Sequence, residues 1–185
     1  MTQVKILAQS AEPHPLTDLL NRAFGPGRLA RTAERLREGN QRIADYDRMA
    51  IDNDGALMGA ISFWPVRVEQ TAGLLLGPLA VHPDMQGQGV GQALMQDALA
   101  AIDEARFAFT VLVGDLPYYQ KAEFSVAPRA LHLPGPVDPQ RLLLRGEAKL
   151  CAALSGMVGA ALALASGELV ASLTNKTTSL VLAVG

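Results

Sequence analysis

The sequence predicts an α/β fold built on a mixed sheet. Three observations predict it. Residues 74–81 (LLLGPLAV, with its leading Leu) and 107–113 (FAFTVLV) are short, unbroken apolar runs and read as strands buried on both faces. Residues 88–102, between them, carry Val90, Leu94, Ala98 and Ala101 on one helical stripe, which makes a β-α-β unit. Upstream, Asn53-Asp54-Gly55 separates two apolar runs. Asp-Gly in that position signals a hairpin, because the turn needs positive φ. A parallel unit joined to an antiparallel meander makes the sheet mixed.

The remaining elements follow in order. Residues 4–9 (VKILAQ) alternate and read as a first strand. Leu16, Leu19, Leu20 and Ala23 fall at helical spacing over 14–24, and Gly25-Pro26-Gly27 ends that helix. A second, charged helix is expected over 28–39, with Leu29, Ala33 and Leu36 on one face and Gly39-Asn40 as its stop. Strands at 48–51 and 56–68 flank the hairpin turn. Pro78 cannot donate to a sheet ladder, so its place in an apolar strand implies a bulge or a break in pairing. A short helix is expected over 116–122 and a strand from 124. Residues 131–145 are turn-rich and end in RLLLR.

Composition narrows the function classes. Of the 185 residues 49% are hydrophobic and 18% charged, and Lys+Arg 16 against Asp+Glu 18 leaves a net charge of −2. That balance lacks the basic field of a general nucleic-acid binder. Cys151 is the one cysteine, so neither an intramolecular disulfide nor a cysteine zinc site can form. His14, His82 and His132 are scattered without metal-ligand spacing, and no metal is expected. The polar N-terminus does not read as a signal peptide, and the expected compartment is the cytoplasm. Residues 150–167 are uncharged and long enough to be weighed as a membrane span. They are mostly Ala, Gly and Ser without flanking basic or aromatic anchors, which favours a packed helix.

The segment 76–91 (LGPLAVHPDMQGQGVG) carries the chemistry. A buried strand ends, a proline turn follows, and glycines open an amphipathic helix. A helix N-terminus presents unpaired N–H groups and partial positive charge. Glycines let a phosphate come close to the backbone. The junction suits an anion, a pyrophosphate above all. A Walker loop would need Gly-Lys-Ser/Thr, and no lysine is here. A dinucleotide fingerprint would need G-x-G-x-x-G after the first strand, and the spacing here is G-x-G-x-G in mid-chain. The pattern Gln/Arg-x-x-Gly-x-Gly/Ala fits 86–91 at every position.

With these residues the sequence resembles the GNAT superfamily of acyl-CoA-dependent N-acyltransferases, and within it the YhbS-like subgroup. The likeness rests on GPLAVHPDMQGQGVGQALM, LVGDLPYYQKAEF and LHLPGP, with FGPGRLARTAERLREGN and FWPVRV nearer the front. It covers about residues 1–147. The resemblance implies the GNAT fold, whose central sheet splays so that the pantetheine arm lies in the gap. It implies that Leu79, Ala80 and Val81 offer backbone groups to that arm. It also implies that Gln86, Gly87, Gln88, Gly89, Val90, Gly91 and Gln92 cradle the pyrophosphate of acetyl-CoA, the co-substrate. The expected activity is transfer of acetyl to a primary amine by direct attack in a ternary complex. A non-catalytic acyl-CoA-binding or regulatory module on the same fold, and a nucleotide-binding domain using the same loop, are the rival readings.

By the same resemblance Tyr119 is the catalytic candidate, because Tyr119-Gln120-Lys121-Ala122-Glu123-Phe124 matches the family's Y-x-K-x-G-F. A phenol stays protonated at neutral pH and can donate to the departing thiolate. Tyr118 stands in reserve. Glu123 replaces the family glycine, which usually allows a left-handed helix end. Glutamate in that conformation costs about 1 kcal/mol. Glu69, His82 and Asp115 are candidate bases with nothing to choose between them, and no base is assigned. Arg28, Arg31, Arg35 and Arg37 read first as a solvated face paired with Glu34 and Glu38, and second as part of an acceptor site. Trp64 reads as core before cleft lining. The acceptor is a small-molecule or peptide amine of open identity.

The tail, 148–185, departs from the likeness. Its only charges are Lys149, Glu168 and Lys176, and SLVLAVG reads as a strand. So apolar an extension is expected to be buried on the domain or in a homodimer interface. Cys151 reads as a small hydrophobe.

Overall fold

The structure, a computed structural model, describes residues 4–8, 16–30, 32–102, 104, 106–129, 131–133, 135–155, 180–181 and 183–184. Its strands are β1 (Lys5–Ala8), β2 (Arg48–Ile51), β3 (Leu57–Val68), β4 (Thr71–Val81), β5 (Phe109–Val113), β6 (Ser125–Val126), β7 (Leu131–His132), β8 (Leu142–Arg145), β9 (Leu180–Val181) and β10 (Ala183–Val184). Its helices are α1 (Leu16–Phe24), α2 (Thr32–Arg35), α3 (Val90–Ala100), α4 (Leu116–Tyr119) and α5 (Glu147–Ser155). The sheet runs β1-β2-β3-β4-β5-β8-β6, with β10 also on β3, and β7 pairs with β9. The β4–β5 pair is parallel, and β1–β2, β2–β3, β5–β8, β6–β8 and β10–β3 are antiparallel. This is the mixed α/β sheet that the apolar runs and the hairpin predict.

The chain falls into two compact units, and β3 and β4 each contribute one half to each. The first holds Met1–Arg31, Arg42–Phe63 and Leu76–Ile102. Here Asp52 accepts from the backbone N–H of Asp54 and Ala56, and Gly55 takes φ 81°, so the Asp-Gly turn forms where expected. α1 buries Leu19 and Leu20 against Met49, Leu57, Ala60 and Ala80. α3 buries Val90, Leu94, Met95, Ala98 and Leu99. It can lie close to β3 because position 59 is glycine. A Cβ there would meet Leu94 Cδ1 at 2.9 Å, Val90 Cγ1 at 3.2 Å and the Ala80 carbonyl oxygen at 3.3 Å. Arg48 ties β2 to the same helix through Asp97 at 2.5 Å.

The second unit holds Thr32–Gln41, Trp64–Leu75 and Asp103–Gly185. Its core gathers Leu36, Val66, Leu75, Phe109, Val111, Leu142, Leu144 and, from α5, Leu150. Gly73 sits directly under the Phe109 ring, its register partner on β5. The helix expected over 28–39 is broken. Residues 26–30 make a 3-10 turn, α2 is four residues long, and Leu29 is 59% exposed rather than on a buried face. Side-chain bonds take over from the missing helix. Thr32 donates to the Pro136 carbonyl at 2.7 Å, Asn40 to the Pro65 carbonyl at 2.8 Å, and the Arg37 guanidinium lies 5.0 Å over Trp64. α2 ends at Arg35, ahead of the expected stop, and Gly39 takes φ 73° in the turn that follows.

Among the described residues no helix is long and apolar enough to cross a membrane, and no His/Cys/Asp/Glu cluster could hold a metal. Residues 156–167 of the apolar stretch, and His14, lie outside the described residues.

Candidate functional site

The strand that feeds the glycine loop changes character half-way. β4 pairs with β5 from Gly73↔Phe109 to Leu75↔Val111, and then continues to Val81. Gly77 takes φ 119° and the Gly77–Pro78 peptide is cis. Pairing with β3 persists to the strand's end, where the His82 N–H donates to the Met58 carbonyl at 2.8 Å. Backbone groups alternate sides along an antiparallel strand. Ala80 therefore points its N–H and C=O toward β3, while Leu79 and Val81 point theirs to the opposite edge. Of the three residues expected to offer backbone bonds, the alternation selects Leu79 and Val81. The Gln86 side chain donates to the Val81 carbonyl at 3.2 Å, and that oxygen retains a second lone pair.

After β4 a 3-10 turn, Pro83–Met85, anchors the loop by burying Met85. The His82 ring nitrogen Nδ1 accepts from the Asp84 N–H at 3.4 Å, so this histidine serves the turn. Gln88 donates to the Asp84 carbonyl at 2.8 Å. Residues 86–89 are exposed, and Val90 and Gly91 are buried. Gly87 and Gly89 take φ 76° and 84°, the left-handed region that favours glycine, and a Cβ at either would meet nothing within 4 Å. Gly89 opens α3 without a side-chain cap. The loop thus combines an open outer face with a helix start whose N-cap residue offers no side-chain cap, which suits an anion.

In the second unit β5 leads through Gly114 and Asp115 into the single turn of α4, which carries Tyr119 at its end. The Tyr119 ring is half-buried and lies edge-to-face with Tyr118 at 5.0 Å and Phe124 at 6.0 Å between centroids. Burial, with the negative potential of Tyr118 and Asp115, pushes its pKa up to about 12, against the pull of Arg141. Tyr119 stays a protonated donor across the neutral range. Tyr118 is exposed. Glu123 takes the left-handed conformation, φ 65° and ψ 21°, and its carboxylate pairs with Arg145 of β8 at 3.2 Å. The turn that a glycine would ease is made by glutamate, with an ion pair beside it. Asp115 pairs with Arg141 at 3.2 Å and lies at the start of α4. Glu69 occupies the β3–β4 turn with φ 53°.

Residues 45–126, which include the loop, Tyr119 and Glu123, match the model of the acetyltransferase (GNAT) domain. Over this segment the chain is similar to GNAT acetyltransferases. It is 31% identical over 111 residues to the uncharacterized N-acetyltransferase YhbS of Escherichia coli (strain K12), an alignment covering 59% of this chain and 65% of that protein. The match thus spans less than two thirds of that relative's length. The crystal structure of Escherichia coli YhbS in complex with CoA is similar at 26% identity and TM-score 0.65, covering 78% of this chain and 81% of the other. A GNAT acetyltransferase from Brucella melitensis in complex with acetyl-CoA is similar at 25% identity and TM-score 0.51, covering 77% and 96%.

Two residues of this segment escape a reading of the sequence. Gly114 lies against the Tyr119 ring. Only its spacing before a Tyr-Tyr pair could have pointed to it. Asp47 is fully buried. Its Oδ1 accepts from the Phe63 N–H at 3.0 Å, and Arg42 Nε stands 3.1 Å from Oδ2. Burial pushes its carboxyl up to about 6 despite Arg42, that N–H and Arg48. Nothing in the local sequence YDRMA separates it from a surface aspartate.

Proposed function

We propose that the GNAT domain transfers acetyl from acetyl-CoA to a primary amine by direct attack within a ternary complex. The observation that carries the reading is the loop at 87–89: two left-handed glycines with open space outside them, at the uncapped start of α3. These residues fit a pyrophosphate. The N–H groups of residues 87 and 89–91 would face its oxygens, the Gln88 N–H being held by the Met85 carbonyl at 3.4 Å, and Leu79 and Val81 would offer N–H and C=O to the pantetheine amides. Gln86 contributes through Val81, to which it binds the loop.

Tyr119 acts on the leaving sulfur. The acceptor nitrogen forms its bond to the acetyl carbon, the carbon–sulfur bond breaks, and the nitrogen's surplus proton must end on the thiolate or in solvent. A thiol has a pKa of about 8.5. Complete transfer from a phenol at about 12 is uphill by about 3.5 units, or roughly 5 kcal/mol. Tyr119 therefore serves best as a hydrogen-bond donor that stabilises charge developing on sulfur, with the acceptor's own proton completing the thiol.

Calorimetric titration with acetyl-CoA, with ATP and NAD as controls, tests the loop. Micromolar binding of acetyl-CoA alone supports it, and no binding by folded protein removes it. Thiol release with spermidine, lysine and a peptide amine tests transfer. Binding without release from any amine would point to the non-catalytic module. Intersecting initial-rate lines are expected for the ternary complex, and parallel lines would mean a covalent acyl-enzyme. Tyr119→Phe should lower kcat about 100-fold with KM for acetyl-CoA little changed.

A further inference from the structure

Gly114 is not a turn glycine. Among the described residues seven glycines take positive φ, and Gly114 is not one of them, so no left-handed backbone demands a glycine there. It is buried, and its N–H is held by the Arg141 carbonyl at 2.9 Å. What excludes a side chain is the Tyr119 ring. A Cβ at 114 would come inside 3.0 Å of Tyr119 Cε2, with Cδ2 at 2.9 Å and Leu112 Cδ1 at 3.0 Å. The Tyr118 and Phe124 rings meet it edge-to-face, so any shift of the Tyr119 ring disturbs both contacts.

We infer that Gly114 is a positioning residue for Tyr119: the missing side chain is the seat that fixes where the phenol hydroxyl stands. The inference rests on the catalytic reading of Tyr119. A methyl group at 114 makes the ring retreat by roughly 1 Å to reach ordinary contact. Displacement of that size at a reacting group costs on the order of 100-fold in rate.

The test is a double-mutant cycle with a structural readout. Gly114→Ala should lower kcat about 10- to 100-fold while KM for acetyl-CoA stays within about twofold. In a Tyr119→Phe background the same change should cost less than about twofold, since no hydroxyl is left to misplace. Equal losses in both backgrounds would overturn the inference. If Tyr119→Phe is impaired and Gly114→Ala is not, the inference alone fails. If Tyr119→Phe turns over like the parent, the catalytic reading of Tyr119 fails first. NMR of protein labelled with ring-¹³C tyrosine needs no acceptor. Gly114→Ala should move the Tyr119 signal, assigned by its loss in Tyr119→Phe, and leave that of Tyr46 in place. A stationary Tyr119 signal sinks the proposal. Should Gly114→Ala not fold, the parent's Gly114 Hα shift decides. It should carry a ring-current displacement that disappears in Tyr119→Leu, and an unchanged shift overturns the contact.

Discussion

Replacing Glu123 by glycine and by alanine separates two opposing effects at one residue. The backbone there is left-handed, at φ 65° and ψ 21°. Such a conformation costs a residue with a Cβ about 1 kcal/mol and costs glycine nothing. Against that stands the ion pair with Arg145 at 3.2 Å, with side chains 79% and 25% exposed. So open a pair contributes about 0.2–1 kcal/mol, and less as salt rises. Both variants lose the pair, but only glycine relieves the backbone. Glu123→Gly should therefore melt close to the parent, and Glu123→Ala should be less stable than Glu123→Gly by about 1 kcal/mol. In a chain of this length that is a difference of about 2–4 °C in Tm. Calorimetric melts at low and high salt measure it. Raising salt should lower the parent toward the alanine variant and away from the glycine variant, and leave the gap between the variants unchanged. If the alanine variant melts at or above the glycine variant, the backbone at 123 is not strained and the reasoning is wrong.

The pH profile should expose Asp47. Its folded pKa, about 6, lies above the ordinary 3.8, so protonation favours the fold. That contribution is complete below the lower value and is lost as pH rises through the higher one, a change of about 3 kcal/mol. Asp47→Asn keeps an acceptor for the Phe63 N–H and cannot ionise, so its Tm relative to the parent should climb across that window and then level off. A flat difference would contradict the buried carboxyl. Gly89→Ala should strain the loop by about 1 kcal/mol and weaken acetyl-CoA binding about 5-fold by calorimetry. Unchanged affinity would take the loop out of the site. Gly73→Ala would place a Cβ 2.5 Å from Phe109 Cε1 and Cε2, an overpacking worth about 1–3 kcal/mol. Phe109→Leu in the same chain should restore most of the loss in a thermal melt, and a parental Tm for Gly73→Ala would refute the close fit.

Much of this was legible from local chemistry. The Asp-Gly turn and the apolar strands depend on residues within a few positions, and they form as the pattern predicts. The glycine loop was legible for the same reason, because its left-handed residues must be glycines. Glu123 was legible only through the family pattern, which expects a left-handed residue where this chain has none that prefers it. The second helix was misread because its fate is decided far away, by the bond from Thr32 to Pro136 and by Trp64 beneath Arg37. The insertion of β8 between β5 and β6 is likewise a matter of long-range pairing. Asp47 and Gly114 owe their roles to what lies across from them, and neither leaves a mark in its neighbours in sequence.

Gly59 lies far from the loop in sequence, yet it acts as the shim beneath it. The first turns of α3 rest on β3 through Val90 and Leu94, which a Cβ at 59 would meet at 3.2 and 2.9 Å. Thickening that shim by one methyl tilts the front of the helix and carries the loop with it, while every residue that faces the ligand stays unaltered. Donor affinity can thus be graded from the underside of the sheet. A designer wanting a weaker grip on the donor, with the chemistry of the upper face intact, would start at position 59.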